Sequence, residues 1–456
     1  MNRRRLTSLA GILLGLCPLG GVAFAQAPAA SPAPAAETLT LENALSMAFG
    51  SNRQLASEQL EVAKAGDRLA QTKSYRLPSL DVEFQGGGLL KPVEIRIPEG
   101  TLGTYPGVGP IPNTDTTVVS ESTFTSLGAI TVKQPLSDLY KISLSVKARE
   151  TLIEAEKEQL RTDRYAVARD VRRAYYTIVA GEKGLDALRR SLAVAQETER
   201  VVAEKASEQT VLEPELLKAR ARVASAAHDL ASLEHGVVDA REQLGVLLNH
   251  PLPPDFRVVD PPPAQRPAKE LEAGAAQAGI QRPEVRKAQL QSTVAELDTK
   301  IAKTEFLPQV SAMVNLVKPW NVDFQPKSIF VAGIYVKWEV FDGGRRRKEL
   351  AEKQKSWEQA RLAAAEMEQR ARIQAASDFR RVEEAESLLK SAELNRQASE
   401  EDLRIAKERF GAEALLLQNL ISAQAGLAEA NHAYTEALVS FWTARADYES
   451  SIGEEL

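Results

Sequence analysis

The sequence is poor in the residues that build disulfides, metal sites and nucleophilic centres. It has one cysteine, Cys17, among 456 residues, and four histidines. Cys17 falls in an N-terminal segment that we expect to be removed, so the mature chain offers no thiol for a disulfide or a nucleophile. The histidines show no ligand spacing, and no nucleophile–base cluster stands out. We therefore predict no cofactor and no bound metal.

Long apolar runs are also absent after residue 25. No mature stretch approaches about 18 continuous apolar residues, the length that a membrane-spanning helix requires. This absence excludes an inner-membrane helical protein. It leaves open an outer-membrane barrel, because barrel strands give a much weaker hydropathy signal.

The charge balance is close to neutral, with 57 basic and 62 acidic residues. Removal of the three arginines near the N-terminus leaves 54 basic residues and a balance of −8. Such a balance argues against nucleic acid as a partner. The cluster at 345–348 is read as a charged helix start beside a membrane surface, with a patch for anionic lipid or nucleic acid as the alternative.

The N-terminus has the features of a secretory signal. Residues 1–25 combine a basic start, an apolar stretch and the small-x-small site Ala23-Phe24-Ala25. Lipidation of Cys17 would require a small residue before it, and Leu16 stands there, so we predict an unlipidated protein. Residues 26–38, rich in alanine and proline, are predicted to be a flexible leader.

The chain contains two copies of one pattern. At an offset of 230, Leu77-Pro78 matches Leu307-Pro308; at an offset of 204, Tyr175 matches Phe379 and His228 matches His432. The repeats are assigned to 39–250 and 270–456, joined by a proline-rich linker at 251–269. The first copy has 26 extra residues in the Gly- and Pro-rich stretch 86–116, predicted to be a long loop.

Each copy has the same order of elements: a helical segment (41–75 or 271–305), two strands and two long helices. The first copy has strands at about 79–88 and 121–136 and long helices at about 140–205 and 212–248. The second has strands at about 309–318 and 328–341 and long helices at about 345–409 and 414–450.

The strands alternate in polarity, as in Leu80, Val82 and Phe84, which are separated by polar residues. Alternation suits either a lipid-facing barrel with a wet interior or a half-buried strand in a soluble sheet. Four strands cannot close a membrane barrel, which needs at least about eight. Because open strand edges are not tolerated in lipid, membrane insertion would require several chains to share one barrel.

The long helices carry a seven-residue period. Leucine and valine recur at 216, 223, 230, 237 and 244, and the second copy continues the period from Leu420 to Tyr448. This period predicts left-handed coiled-coil packing. A helix of some 65 residues would span about 100 Å. The sequence thus predicts an α+β fold of two tandem structural repeats, each with long coiled-coil helices and a β-hairpin that, in a membrane protein, would contribute to a shared transmembrane barrel.

The stretch from Trp338 to Leu350 looks at first like a hairpin turn around Asp342, Gly343 and Gly344. Its counterpart in the first copy keeps the aspartate, Asp138, but has Leu-Tyr in place of the glycines. A tight turn with positive φ would not readily accept Leu-Tyr. We therefore predict that both sites are strand-to-helix junctions, with Asp342 near a helix N-cap.

Taken together, the segments at 39–55 ("LTLENALSMAFGSNRQL"), 77–80 ("LPSL"), 307–308 ("LP") and 340–344 ("VFDGG"), with the two-copy order, resemble the TolC-like outer-membrane efflux channels. The resemblance covers nearly the whole mature chain. It implies a homo-trimer in the outer-membrane lipid, with a twelve-stranded barrel above a helical periplasmic tunnel. It also implies a periplasmic adaptor and an inner-membrane transporter as partners, and export of small molecules, metals or proteins rather than catalysis.

The resemblance also points to the periplasmic helix tips, where such channels narrow and meet the adaptor. Phe410 matches the family's tip aromatic, whereas the usual tip glycine is replaced by Glu413, with Gly411 two positions earlier. In the first copy the glycine position is Gln209. Asn419 and Ser422 occupy the two positions that hold constricting aspartates in the best-known member.

Acidic residues remain near these tips, namely Glu208, Glu213, Glu215 and Glu413. Repeated around a three-fold axis, such carboxylates would form rings that favour cations. We therefore expect Glu413 to line the entrance; the alternative is an ordinary solvated helix charge. Two other function classes remain open: a periplasmic coiled-coil scaffold or adaptor, and an exported helical enzyme.

Overall fold

The computed structural model describes residues 38–88, 91, 94–119, 124–208, 211–250, 256–259, 271–321, 326–412 and 416–453. The elements in chain order are β1 (Thr38–Leu39), α1 (Leu41–Ser51), α2 (Arg53–Ser74), β2 (Ser79–Gly88), β3 (Glu94–Ile97), β4 (Thr104–Tyr105), β5 (Gly109–Pro110), β6 (Thr116–Val119), β7 (Phe124–Pro135), α3 (Asp138–Ser207), α4 (Glu213–Leu248), β8 (Arg257–Val258), α5 (Leu271–Gln281), α6 (Pro283–Thr304), β9 (Gln309–Trp320), β10 (Ile329–Lys337), α7 (Arg345–Gly411) and α8 (Leu417–Ser451).

The first helical segment of each copy is divided into two helices at equivalent positions. In the first copy Asn52 adopts an extended backbone, and its side chain accepts hydrogen bonds from the N–H groups of Gln54 and Leu55. In the second copy Arg282 is extended before Pro283, which has no N–H to continue the helical ladder. The sequence pattern predicts a single helical segment in each copy, at 41–75 and 271–305.

Four strands form one antiparallel sheet in the order β10-β9-β7-β2. A row across this sheet joins Val82, Ile130, Leu316 and Phe330 in register, and all four side chains are exposed in the single chain. A row on the other face includes Asp81, Thr131 and Asn315. The sheet therefore has one apolar face and one face that carries polar groups, as the alternation predicts.

The strand ends differ in part from the prediction. The last strand was expected to reach 341, but β10 ends at Lys337, which pairs with Gln309, the first residue of β9. Because Pro308 precedes β9, residues 338–341 have no strand beside them. The predicted strand at 121–136 begins at Phe124 within the described residues, since 121–123 lie outside them.

Two segments expected to lack structure contain short strands. In the predicted loop, β3 pairs with β6 and β4 with β5, and Arg96 forms an ion pair with Asp115 at 2.7 Å. In the predicted linker, β8 pairs in parallel with β1, so Thr38 belongs to a strand rather than to the leader. Both pairings join residues that sequence patterning cannot bring together.

The long helices pack side by side in a linear order. Towards the sheet the order is α2–α3–α6–α7, and away from it the order is α4–α3–α8–α7. The main hydrophobic core lies where these layers meet α1 and α5, and its most deeply buried large residues include Tyr175, Ile178, Leu244, Phe441 and Tyr448. None of the described helices has the length and apolar composition required to cross a membrane.

Candidate functional site: the helical wall and its two ends

The junction between β10 and α7 is stabilised by the carboxylate of Asp342. Gly343 and Gly344 have φ of 67° and 90°, values that strongly favour glycine, and they turn the chain into the helix. The Asp342 carboxylate accepts hydrogen bonds from the N–H of Gly344 and of Arg346, each at 2.9 Å. The N-cap residue itself is Gly344, so Asp342 caps the helix from two positions earlier.

Arg346 extends this junction into a clamp. Its Nε donates to the Asp342 carboxylate at 2.8 Å, and its terminal nitrogens donate to the carbonyl oxygens of Glu305, at 2.8 Å, and Glu339. The guanidinium also lies 5.9 Å from the ring centre of Phe306. The hydrogen bond from Arg346 holds the pKa of Asp342 well below its usual range.

Sequence reasoning did not identify this role for Arg346. The available signal was an aspartate just before a predicted helix start with an arginine in the first turn, since a carboxylate there can accept from the free N–H groups of the helix end. Arg346 is only 9% exposed, whereas the sequence predicted a charged helix start beside a membrane surface.

The junction between β7 and α3 uses different contacts. Asp138 is the first residue of α3, and the N-cap residue, Ser137, makes no side-chain capping bond. Instead, the Ser137 hydroxyl accepts from the N–H of Val310 at 2.7 Å, while the Val310 carbonyl accepts from Leu136 and Ser137. The β7–α3 junction is thus attached to β9. The β10–α7 junction is held by Asp342 and Arg346 and is attached to Glu305, just after α6.

At the opposite end of the wall the chain reverses twice. It passes from α3 to α4 after Ser207 and from α7 to α8 after Gly411. A hydrophobic cluster joins the two reversals through buried residues from all four helices: Val202, Ala219, Leu403, Ala406, Leu417 and Leu420. The structure therefore brings the tips of both copies together.

Phe410 packs half-buried against this tip cluster. The Nζ of Lys205 lies 5.5 Å from its ring centre, which links the end of α3 to the end of α7. Gly411 is the last residue of α7. Asn419 and Ser422 are exposed on the first two turns of α8, and the Ser422 hydroxyl donates to the Gln418 carbonyl at 2.9 Å.

The acidic tip residues surround the α3–α4 reversal. Glu208 follows the end of α3 and Glu213 begins α4, and both are exposed. Glu215 forms an ion pair with Lys218 at 2.8 Å. Gln209 and Glu413 lie outside the described residues.

A cavity of about 1190 Å³ runs along one side of the wall and is lined by α3, α4, α7 and α8. His228 and His432, which match across the two copies, both line it, together with Asp229, Glu436 and Asp447. Burial raises the pKa of Asp447. Within the described residues, no group of three or more His, Cys, Asp or Glu side chains is arranged to hold a metal ion.

Comparison with known proteins gives one family. The sequence profile of the outer membrane efflux protein family matches residues 44–250 and 275–453, together most of the chain. A search of curated proteins gives no significant match.

Solved structures have the same fold. The outer-membrane channel OprN superposes with a TM-score of 0.74 at 18% identity, over 91% of this chain and 90% of that one. CusC, described for its transmembrane channel formation, gives 0.75 at 16% identity over 91% and 92% of the two chains. The open state of the Neisseria gonorrhoeae MtrE outer membrane channel gives 0.70 at 17% identity over 91% and 88%. The chain therefore belongs to the outer membrane efflux protein family, whose members are channels and not enzymes.

Proposed function

We propose that three copies of this chain form the exit channel of an export assembly. In this proposal each copy contributes its four-stranded sheet to one twelve-stranded barrel in the outer membrane, and the helical walls join into a periplasmic tunnel. A periplasmic adaptor and an inner-membrane transporter deliver the exported small molecule, metal or protein to the tunnel entrance.

The sheet carries this proposal. Its apolar face is exposed, with Val82, Phe84, Phe330 and Ile334 each more than two-thirds uncovered. Its edge strands, β2 and β10, pair on one side only within the described residues. Exposed apolar side chains suit lipid, and unpaired edges require a neighbouring strand there. Pairing of β10 with β2 of the next copy would satisfy both edges.

The helical wall supports the proposal independently. Like the strands of the sheet, the helices of the wall form an open row, with α7 at one side and α2 and α4 at the other. A wall with two free sides can close on itself only through further copies. The cavity along the wall contains both cationic and anionic side chains, which is consistent with a water-filled passage and not with an apolar core.

The tips are proposed as the entrance and the adaptor contact. They bring Phe410, Gly411, Asn419 and Ser422 to the far end of the wall from the sheet, in company with the acidic residues Glu208, Glu213 and Glu215. Glu413, which lies in the sequence between α7 and α8, is proposed to face the three-fold axis.

Cell fractionation followed by native mass spectrometry tests the proposal. We expect the protein in the outer membrane as a detergent-stable particle with the mass of three chains. Recovery as a soluble periplasmic monomer would instead support a coiled-coil scaffold or adaptor and overturn the channel assignment. Co-purification with an adaptor, lost after alteration of the tip residues, would support the assigned partners.

A further inference from the structure

The two halves of the helical wall are equivalent at an offset of 204 residues. The end of α3, Ser207, corresponds to the end of α7, Gly411, and the start of α4, Glu213, corresponds to the start of α8, Leu417. Every contact between α3 and α8 therefore has an equivalent pair of positions on α7 and α4. Those two helices lie at opposite sides of the wall.

The contact between α3 and α8 is closed by polar and aromatic groups. The Gln424 side-chain nitrogen donates to the Thr198 hydroxyl at 2.8 Å, and these residues are only 3% and 8% exposed. Further along, the rings of Tyr176 and Trp442, both buried, lie 5.3 Å apart. At these two places the seam within one chain is uncharged and buried, and elsewhere Arg172 of α3 lies 3.9 Å from the Glu449 carboxylate of α8.

The equivalent positions on the free sides of the wall are uncovered. Thr198 corresponds to Asp402 on α7, and Gln424 corresponds to Arg220 on α4; both are exposed. Tyr176 and Trp442 correspond to Arg380 and Val238, which are exposed as well. Positions that are buried in one seam and exposed in its equivalent indicate a neighbour that the single chain lacks.

The charges at these positions are complementary. Asp402 has no ion-pair partner in the part of the chain that the structure describes. Arg220 contacts Glu199 at 3.3 Å, and its side chain remains 58% exposed. A guanidinium at the position of Gln424 and a carboxylate at the position of Thr198 would face each other across an equivalent seam.

We infer that Arg220 of one copy pairs with Asp402 of the partner subunit, so that a second copy of this chain docks with its α7 on α4. The inference rests on the proposed oligomer and adds to it the residues that join the subunits. The two seams of the ring then differ at this position: a buried hydrogen bond between Thr198 and Gln424 joins the helices within each chain, and an ion pair joins them between chains. Because exposed ion pairs are screened by salt, the subunit seam weakens as ionic strength rises.

Thiol crosslinking tests the pairing directly, since Cys17 is the only cysteine and lies in the predicted signal. In the Arg220→Cys/Asp402→Cys variant, a short bismaleimide should produce a denaturing-gel ladder of two and three linked chains. In the matched Thr198→Cys/Gln424→Cys variant, it should link positions within one chain and give no ladder. A three-chain particle by native mass without a ladder from the first variant would overturn the inference and leave the channel intact.

Charge reversal provides the second test. Arg220→Glu should raise the dissociation of detergent-solubilised trimers on the order of tenfold at low salt, because three pairs are lost at once. Arg220→Glu/Asp402→Arg should recover trimer stability relative to Arg220→Glu, although both variants lose the contact of Arg220 with Glu199 within the chain. Failure of the double variant to recover would contradict the pairing. Failure of the unaltered protein to form any oligomer would contradict the proposed channel instead.

Discussion

The hydroxyl of Tyr175 lies 2.6 Å from the carbonyl oxygen of Val259 and accepts a hydrogen bond from the Val259 N–H at 3.0 Å. The same hydroxyl is 2.9 Å from the carbonyl oxygen of Leu39. One buried side chain of α3 thus connects β1, at the start of the described chain, with β8, in the segment between the repeats. The equivalent residue in the second copy is Phe379, which has no hydroxyl and packs edge-on against Tyr448.

Tyr175→Phe is predicted to lower the free energy of unfolding by about 1–2 kcal/mol, because buried backbone groups lose a hydrogen-bond partner. Thermal or denaturant unfolding of the purified protein measures the change. Tyr140→Phe is the control, since Tyr140 is 62% exposed, and we expect no measurable change there. Equal effects at both positions would contradict the role of Tyr175 as a structural link.

Gly181→Ala is predicted to destabilise the contact between α3 and α4. A Cβ at Gly181 would clash with the Cγ2 of Val237, so the valine side chain or the two helices would have to shift. We expect a loss of about 1–3 kcal/mol in unfolding free energy, which is typical of an overpacked core.

Gly236→Ala is the matched control on the neighbouring helix. A Cβ there meets nothing within 4 Å, and alanine is favoured over glycine inside a helix by about 1 kcal/mol. We therefore expect this variant to be as stable as the unaltered protein or more stable. A loss equal to that of Gly181→Ala would show that the helix contact is not the cause.

Asp342→Asn is predicted to destabilise the start of α7 and to remove a pH dependence. The folded-state pKa of Asp342 lies below its unfolded value because Arg346 donates to the carboxylate. Such a group stabilises the fold above the unfolded pKa, about 4, and this stability is lost as the pH falls through the folded pKa. Unfolding measured from pH 6 downwards should therefore show a smaller decline below about pH 4 in Asp342→Asn than in the unaltered protein.

Asp138→Asn at the other junction is the control. Asp138 begins α3, but the contacts that close this junction come from Ser137. We expect the acid profile of Asp138→Asn to follow that of the unaltered protein. Coincident profiles for all three proteins would contradict the clamp formed by Asp342 and Arg346.

Glu413→Gln is predicted to lower cation selectivity and weaken block by divalent ions in single-channel recordings. A ring of carboxylates at a narrow entrance favours cations, and removal of their charge removes this preference. Glu358→Gln, at an exposed position in the first quarter of α7 and far from the tip, should leave both properties unchanged. Unchanged selectivity in Glu413→Gln would mean that Glu413 is an ordinary surface charge.

Repeated local patterns were predictable from the sequence. The prediction of an α+β fold with two tandem repeats is confirmed by the family match and by the solved structures. Tyr175 and Phe379 match at an offset of 204, and the same offset relates the end of α3 to the end of α7 and the start of α4 to the start of α8. The apolar period of the sequence repeats at this offset because equivalent helices bury equivalent positions.

Contacts between distant segments were not predictable. The hydroxyl of Tyr175 meets Leu39 and Val259, which are 136 and 84 positions away. Arg346 donates to Glu305, 41 positions away. None of these three partners leaves a periodic signal in the sequence, because each is a backbone carbonyl that any residue type would supply.

Conductance in a planar lipid bilayer tests the central claim most directly. Protein purified from outer membranes, without its signal segment, should insert and give discrete, uniform current steps, since a closed ring of walls encloses one aqueous passage. The Arg220→Cys/Asp402→Cys variant should retain these steps after crosslinking. A three-chain particle that inserts yet never conducts, under any voltage or salt concentration, would contradict the assignment of this protein as an exit channel.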